Sequence, residues 1–431
     1  MLQAELTGAG GLPKRWILVG MCFAATFICY IDRVNISVAI IPMAEELGWS
    51  ASTKGIVLSS FFIGYMAAMI PTGWLANRIG GRLLMGVALA LWSLFTILTP
   101  LAAAISLGAL VVTRILMGMG EAASFPAIYN LFARWLPASE RTRAVAINFT
   151  GYAMGTVFAL SVSAGLIGRF GWESVFYAFG AVGLLFAALW FRLVHRDPAS
   201  HPTITSAERA LLADCVTASS HRDNPIPWGH FLSHSAIWAL IVNHFCSNWS
   251  LYLMLTWLPS YFRDAQKLSI ANAGLFSIAP WIALFLVGNI VAWFADRQIG
   301  RGTDVGLVRK VTQITGLLGS AAFLLLAPFA DTTTLALVSM CGALGMLGFC
   351  WSGMGSNHLD IAPRHADVLF SISNCAGTLP GIIGVALTGF LLDWTGSYTP
   401  TFLLAAAVNI AGAIVWLIWS SGKPIEGESL A

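Results

Sequence analysis

The chain has 431 residues, 57% of them hydrophobic and 10% charged, with a formal net charge of +3 and a mean hydropathy of +0.77. A soluble protein carries about 25% charged residues, so lipid must be the solvent for most of this surface. The near-neutral balance leaves no basic footprint for nucleic acid, and no such partner is expected.

The N-terminal MLQAELTGAGGLPKRW is polar and lacks the pattern of a cleaved signal peptide, so the first apolar run itself is expected to act as the membrane signal. A helix needs about 20 apolar residues to cross a bilayer. Twelve runs qualify: 16–41, 55–77, 83–103, 107–131, 141–167, 172–193, 236–261, 272–295, 307–329, 333–357, 367–391 and 399–420. The one long polar stretch, 194–235, separates the sixth from the seventh. In it Thr205 precedes Glu208 by three residues, a capping-box spacing that predicts a short helix. The reading is an all-α polytopic membrane protein: a six-helix bundle over 1–193, a cytoplasmic linker over 194–235 and a second six-helix bundle over 236–431. Seven cysteines are scattered without metal-ligand spacing, and no metal or cofactor is expected.

Lysines and arginines set the orientation. With twelve spans both termini share a side; 17 basic residues fall there and only Lys54, Arg169, Arg263 and Lys267 on the other. This asymmetry predicts cytoplasmic termini and a cytoplasmic linker. The halves also echo each other. GWLANRIGGR (73–82) follows the second run and VAWFADRQIGRG (291–302) follows the eighth, which points to a duplicated six-helix unit.

At this point the chain resembles the major facilitator superfamily, whose signature loop follows the second helix. Asn77 stands where that family usually has aspartate, which weakens the loop's charge pairing in the first half; Asp296 is expected to keep it in the second. Within the superfamily the chain resembles the anion:cation symporters, which include solute carrier family 17. The resemblance rests on YIDRVNISVA (30–39), SSFFIGYMAAMIPTGWLA (59–76), RILMGMGEAASFPA (114–127), GWESVFY (171–177), HFCSNWSLYLMLTWLPSYF (244–262), NHLDIAPRHAD (357–367) and SNCAGTLPGIIGVALTGFLLD (373–393).

Four charges lie well inside the runs: Asp32 and Arg33 in the first, Arg114 and Glu121 in the fourth. Each costs at least about 2.5–3.5 kcal/mol to place at mid-bilayer. Neighbouring helix residues point roughly 100° apart, so Asp32 and Arg33 cannot share one partner direction. Arg114 and Glu121, two turns apart, share a face. The economical arrangement joins the first and fourth helices around a polar site. One reading makes the four charges a mutual lock between helices. The other gives the arginines an anion to hold, since the guanidinium fork matches a carboxylate, and the carboxylates a proton to carry. Arg33 is favoured for substrate and Glu121 for the proton, with Asp32 assisting from an ion pair with its neighbour. The resemblance implies the same set: Asp32 and Glu121 for proton coupling, Arg33, Tyr65 and Arg114 for substrate, and Asn374 as the substrate-contacting asparagine of SNCAG.

In the second half the polar residues of the seventh run, His244, Asn248 and Trp249, complete the candidate substrate set, although a membrane histidine also serves as a helix–helix hydrogen bonder and the tryptophan as packing. Vesicular glutamate carriers in this family have an arginine in their seventh helix where Ser247 stands here, which counts against glutamate handled in their manner. His358, Asp360 and Arg364 read as a gate or loop anchor.

No HExxH, GxSxG or GxxxxGK[ST] occurs, so neither an enzyme nor an ATP-driven pump is indicated. The expectation is a monomeric secondary transporter that carries an organic anion, such as a sugar acid, with a proton by alternating access. Sodium- or potential-driven phosphate or anion transport is the alternative, and a non-transporting receptor is a third class. The compact loops suit a bacterial inner membrane.

Overall fold

The structure is a computed structural model, and it describes residues 12–218, 228–363 and 365–425. It is all-α, with no strand among the described residues. The helices are α1 (Lys14–Leu47), α2 (Ala51–Ile79), α3 (Gly81–Ile105), α4 (Leu107–Glu121), α5 (Ser124–Trp135), α6 (Ala138–Phe170), α7 (Glu173–Leu193), α8 (Ser206–Ala218), α9 (Trp228–Ser233), α10 (Ser235–Asp264), α11 (Ile270–Phe276), α12 (Ile278–Gly300), α13 (Val305–Leu326), α14 (Thr333–Leu347), α15 (Ser356–Ile361), α16 (Ala366–Thr395) and α17 (Thr399–Trp419).

Eleven helical stretches among the described residues are long and apolar enough to cross a membrane. The remaining expected span is α10, a 30-residue helix outside that count because Asn243, His244, Ser247 and Asn248 dilute its apolar run. Three expected spans are broken, the eighth where α11 gives way to α12 at Ser277. The fourth divides into α4 and α5 directly after Glu121, where Ser124 Oγ donates to the Glu121 carbonyl at 2.7 Å. The tenth passes through a π-helical turn, Trp351–Gly355, before α15. Such turns cluster at functional sites.

The described residues fall into two compact units, one within Met1–Asn35, Ile63–Val162 and Arg169–Asn224, the other within Ile36–Phe62, Ser163–Gly168 and Pro225–Ala431. In the first, α3 packs on α7 and α4; in the second, the equivalent helix α13 packs on α17 and α14. The duplicated loop repeats too. Arg78 stacks on Trp74 and Arg297 on Trp293, at 5.0 and 5.2 Å from the ring centres. Asp296, however, is exposed and makes no ion pair among the described residues, so the charge pairing expected of it is not made.

The linker helix α8 starts as the capping box predicts, with the Glu208 N–H donating to Thr205 Oγ1 at 3.2 Å. The Glu208 carboxylate does not return to its own helix. It accepts from the backbone N–H groups of Lys14 and Arg15, both at 3.0 Å, and from Arg15 Nη1 at 3.1 Å. It thus caps α1 from the linker, supplying acceptors for a helix start that has none of its own. Arg15 also pairs with Glu140 at 2.8 Å.

In the second unit the start of α2 is capped in the same way. Asp393 accepts from Ala51 and Ser52 N–H at 2.9 and 2.8 Å and from the Ser52 hydroxyl. Asp264 takes a hydrogen bond from Tyr398 at 3.1 Å and pairs with Lys54 at 3.5 Å.

Candidate functional site

In the first unit α2 and α4 touch at Gly64, where any Cβ would collide with the Ile115 carbonyl. This close approach sets Tyr65 beside the charges of α1 and α4. Arg33 is the hub. Its Nε and Nη2 both lie 2.9 Å from Glu121 Oε2, and its Nη1 donates to the Tyr30 hydroxyl at 3.2 Å. The guanidinium carbon sits 4.6 Å from the Tyr30 ring centre and 4.8 Å from that of Tyr65. Two aromatic faces therefore hold the plane of the fork while its donors reach the carboxylate. Cys29 Sγ completes the shell, donating to Glu121 Oε2 at 3.3 Å.

The pairing differs from the expected one. Asp32 is not bonded to its neighbour Arg33; Glu121 is. The 100° step along α1 turns Arg33 toward Glu121 and leaves Asp32 on another azimuth. Asp32 is fully buried, and neither of its oxygens accepts a hydrogen bond among the described residues. The Trp92 indole is a neighbour but does not reach bonding geometry. Arg114, 1% exposed, feels both Glu121 and Asp32 electrostatically and places Nη1 3.0 Å from Met117 Sδ. The first unit thus gathers Asp32, Arg33, Tyr65, Arg114 and Glu121 into one buried cluster of two positive and two negative charges. The sequence reading missed Cys29 and Tyr30, although they stand four and three residues before Arg33, on its helix face.

The second unit holds the other candidates. At Gly377 a Cβ would strike the His244 ring, so α16 lies tight on α10 there. His244 Nδ1 is 3.1 Å from Ser373 Oγ, and His358 Nε2 is 2.9 Å from the same oxygen. One hydroxyl therefore bridges two histidines, and His244 is engaged between helices. Asn248 donates to the Gly377 carbonyl at 2.8 Å. Trp249 is 7% exposed and packs on Gly384 and Phe245. Asn374 differs from all three: it is half-buried, and its side-chain amide makes no hydrogen bond among the described residues. Asp360 pairs with Arg309 at 2.7 Å, whereas Arg364 lies outside the described residues. A further polar centre carried no sequence signal beyond its residue types. Buried Gln313 donates to Asn243 and Ser247 at 3.1 and 3.3 Å and accepts from the Met354 N–H of the π-helical turn at 3.0 Å. No cluster of metal-ligating side chains occurs among the described residues.

The profile of the Major Facilitator Superfamily matches residues 22–306. The chain is 42% identical over 413 residues to "Probable anion transporter 4, chloroplastic" of Oryza sativa subsp. japonica, covering 96% of this chain and 70% of the relative. It is 41% identical over 413 residues to "Sodium-dependent phosphate transport protein 1, chloroplastic" of Arabidopsis thaliana (96% and 80% covered). With sialin of Ovis aries the identity is 34% over 445 residues (95% and 90%). Among solved structures, the xylose transporter XylE from E. coli in its inward open conformation superposes with a TM-score of 0.77 at 15% identity, covering 96% of this chain and 98% of that one. That last likeness is one of fold.

Proposed function

The chain belongs to the Major Facilitator Superfamily, in its anion:cation symporter branch, and on that premise we propose that it carries a small organic anion together with a proton. It is a multi-pass membrane transporter and not an enzyme. The observation that carries the proposal is the buried Arg33–Glu121 pair.

Arg33 has one fork of donors and two claimants. While Glu121 is ionised, it occupies Nε and Nη2. A proton on Glu121 removes that charge, and Oε1 is the atom placed to take it, because it accepts no hydrogen bond among the described residues. The guanidinium is then left buried without its counter-charge, a costly state that an incoming carboxylate relieves. Proton binding to Glu121 and anion binding to Arg33 thereby favour each other, which is the linkage a symporter needs. Asp32 assists as the second carboxylate of the cluster, and Arg114 adds the positive charge that keeps the site attractive to an anion when both carboxylates are near. Tyr65 orients the fork, and Asn374 offers an unspent amide to the substrate. His244, Asn248 and Trp249 shape the second unit's polar surface through the bonds already described. The two halves, 1–193 and 236–431, act as the moving bodies of alternating access; the protein works as a monomer with cytoplasmic termini, in a bacterial inner membrane.

The test is a paired measurement on reconstituted protein, after an uptake screen of hexonates, hexuronates, aromatic carboxylates, amino acids and phosphate. Glu121→Gln, a mimic of the protonated acid, is expected to keep counterflow but lose accumulation driven by a pH gradient. Accumulation by Glu121→Gln under a pH gradient alone would refute the coupling role. A second reading, sodium-driven phosphate transport, is favoured by the phosphate-transporting relative. It predicts that uptake of phosphate collapses when choline replaces sodium and ignores the pH gradient.

A further inference from the structure

One pocket in the first unit stands apart from the charge cluster. It lies where the start of α1, the end of α5 and the end of α7 meet the linker, and it holds about 200 Å³. That is the room of roughly seven waters at ~30 Å³ each, enough for a hydrated phosphate and too little for a whole lipid. Its polar lining is Lys14, Arg192, His195, His201 and Thr203, two fixed positive charges beside two imidazoles and a hydroxyl, with Trp135 behind them.

No carboxylate stands in this lining among the described residues. Neither the Lys14 nor the Arg192 side chain makes an ion pair among the described residues. Two linker acids, Glu208 and Asp197, are committed elsewhere. Glu208 is spent on Arg15 and the start of α1, and Asp197 accepts from the Ser200 N–H at 2.8 Å. The histidines are packed together, with ring centres 4.4 Å apart, and the edge of Trp135 meets His201 at 5.9 Å. His201 Nδ1 accepts from the Thr203 N–H at 3.2 Å, so its own ring N–H sits on Nε2 as a donor. Burial, followed by His195 and Lys14 and opposed by Glu208, holds His201 below the usual histidine range.

We infer that this pocket binds a phosphate group, presented by the headgroup of an anionic membrane lipid. The lipid is favoured over a free anion by what borders the pocket. Leu12, Leu189 and Leu193 are exposed, 75%, 43% and 42%, and the last two flank Arg192 on α7, which gives acyl chains an apolar wall. Basic pockets at the ends of spanning helices suit such headgroups. The bound phosphate would join α1, α7 and the linker, complementing the clasp that Glu208 already makes, and it does so whatever the transported substrate is.

The test uses the full chain purified in a neutral detergent and titrated with short-chain phosphatidylglycerol, short-chain phosphatidylcholine and inorganic phosphate while the melting temperature is followed. Phosphatidylglycerol is expected to raise it; phosphatidylcholine and millimolar phosphate are not. Lys14→Gln with Arg192→Gln should move the half-saturating phosphatidylglycerol concentration up roughly 30-fold, from the contribution of two basic residues. Arg209→Gln, an exposed linker arginine outside the pocket, should leave it unchanged. Should the double variant fail to fold, Thr203→Glu places a carboxylate at the same rim; it should raise the melting temperature without lipid and abolish the response to phosphatidylglycerol. An unchanged titration in either variant overturns the site. A rise with inorganic phosphate equal to that with phosphatidylglycerol overturns the lipid as its source.

Discussion

Replacing Arg33 by lysine keeps the charge and removes the geometry. In the structure Arg33 spends two donors on Glu121 at 2.9 Å and a third on Tyr30 at 3.2 Å, with its plane held 4.6 and 4.8 Å from two ring centres. A lysine ammonium can keep one contact to a carboxylate but cannot present the fork or lie flat between the tyrosines. For a bound anion the loss is one charge-assisted hydrogen bond, about 1.5–3 kcal/mol, which corresponds to roughly 10- to 150-fold in affinity. The poorer hold of the rings costs up to about 1 kcal/mol more in a partly desolvated site. The assay is counterflow in proteoliposomes across a range of substrate concentrations, on protein whose melting temperature has been measured. Half-saturation should rise by at least tenfold while maximal exchange falls less. If Arg33→Lys exchanges substrate at the wild-type half-saturation, Arg33 is not the clamp. If Arg114→Lys is equally silent, the cluster is a lock between helices and holds no anion.

Three further outcomes follow from particular contacts. Asn374→Ala should weaken substrate binding by up to about tenfold, one neutral hydrogen bond, with no loss of thermal stability, because its amide bonds nothing among the described residues; a fall in melting temperature with unchanged transport would reverse that assignment. Glu208→Gln removes one of the two counter-charges of Arg15 and one of the two hydrogen bonds that cap α1, and should cost about 1–3 kcal/mol, read as a lower melting temperature; an unchanged midpoint would show that Arg15–Glu140 alone suffices. A single cysteine at exposed Ser206, in a background without native cysteines, should resist impermeant reagents in intact cells; labelling from outside would invert the topology.

Much of the fold was legible before any contact was known, because hydropathy and periodicity are sums over neighbouring residues. The spans, the start of α8 at Thr205 and the loop repeated after the second and eighth runs are all local features, and the structure has each of them, with three of the spans interrupted. The four intramembrane charges were equally visible, since a charge in an apolar run stands out without reference to anything distant. Their pairing was not. Adjacency suggested Asp32 with Arg33, but the bond runs from Arg33 to Glu121, 88 residues away, because the azimuth of α1 and the approach of α2 to α4 at Gly64 decide which side chains meet. The same limit hid the Ser373 bridge between two histidines and sent Glu208 past its own helix to one that begins 194 residues earlier. Sequence determines which residues lipid will tolerate and where helices can form; which buried charge finds which partner is a property of the packed helices, since a few ångströms of approach outweigh any nearness along the chain.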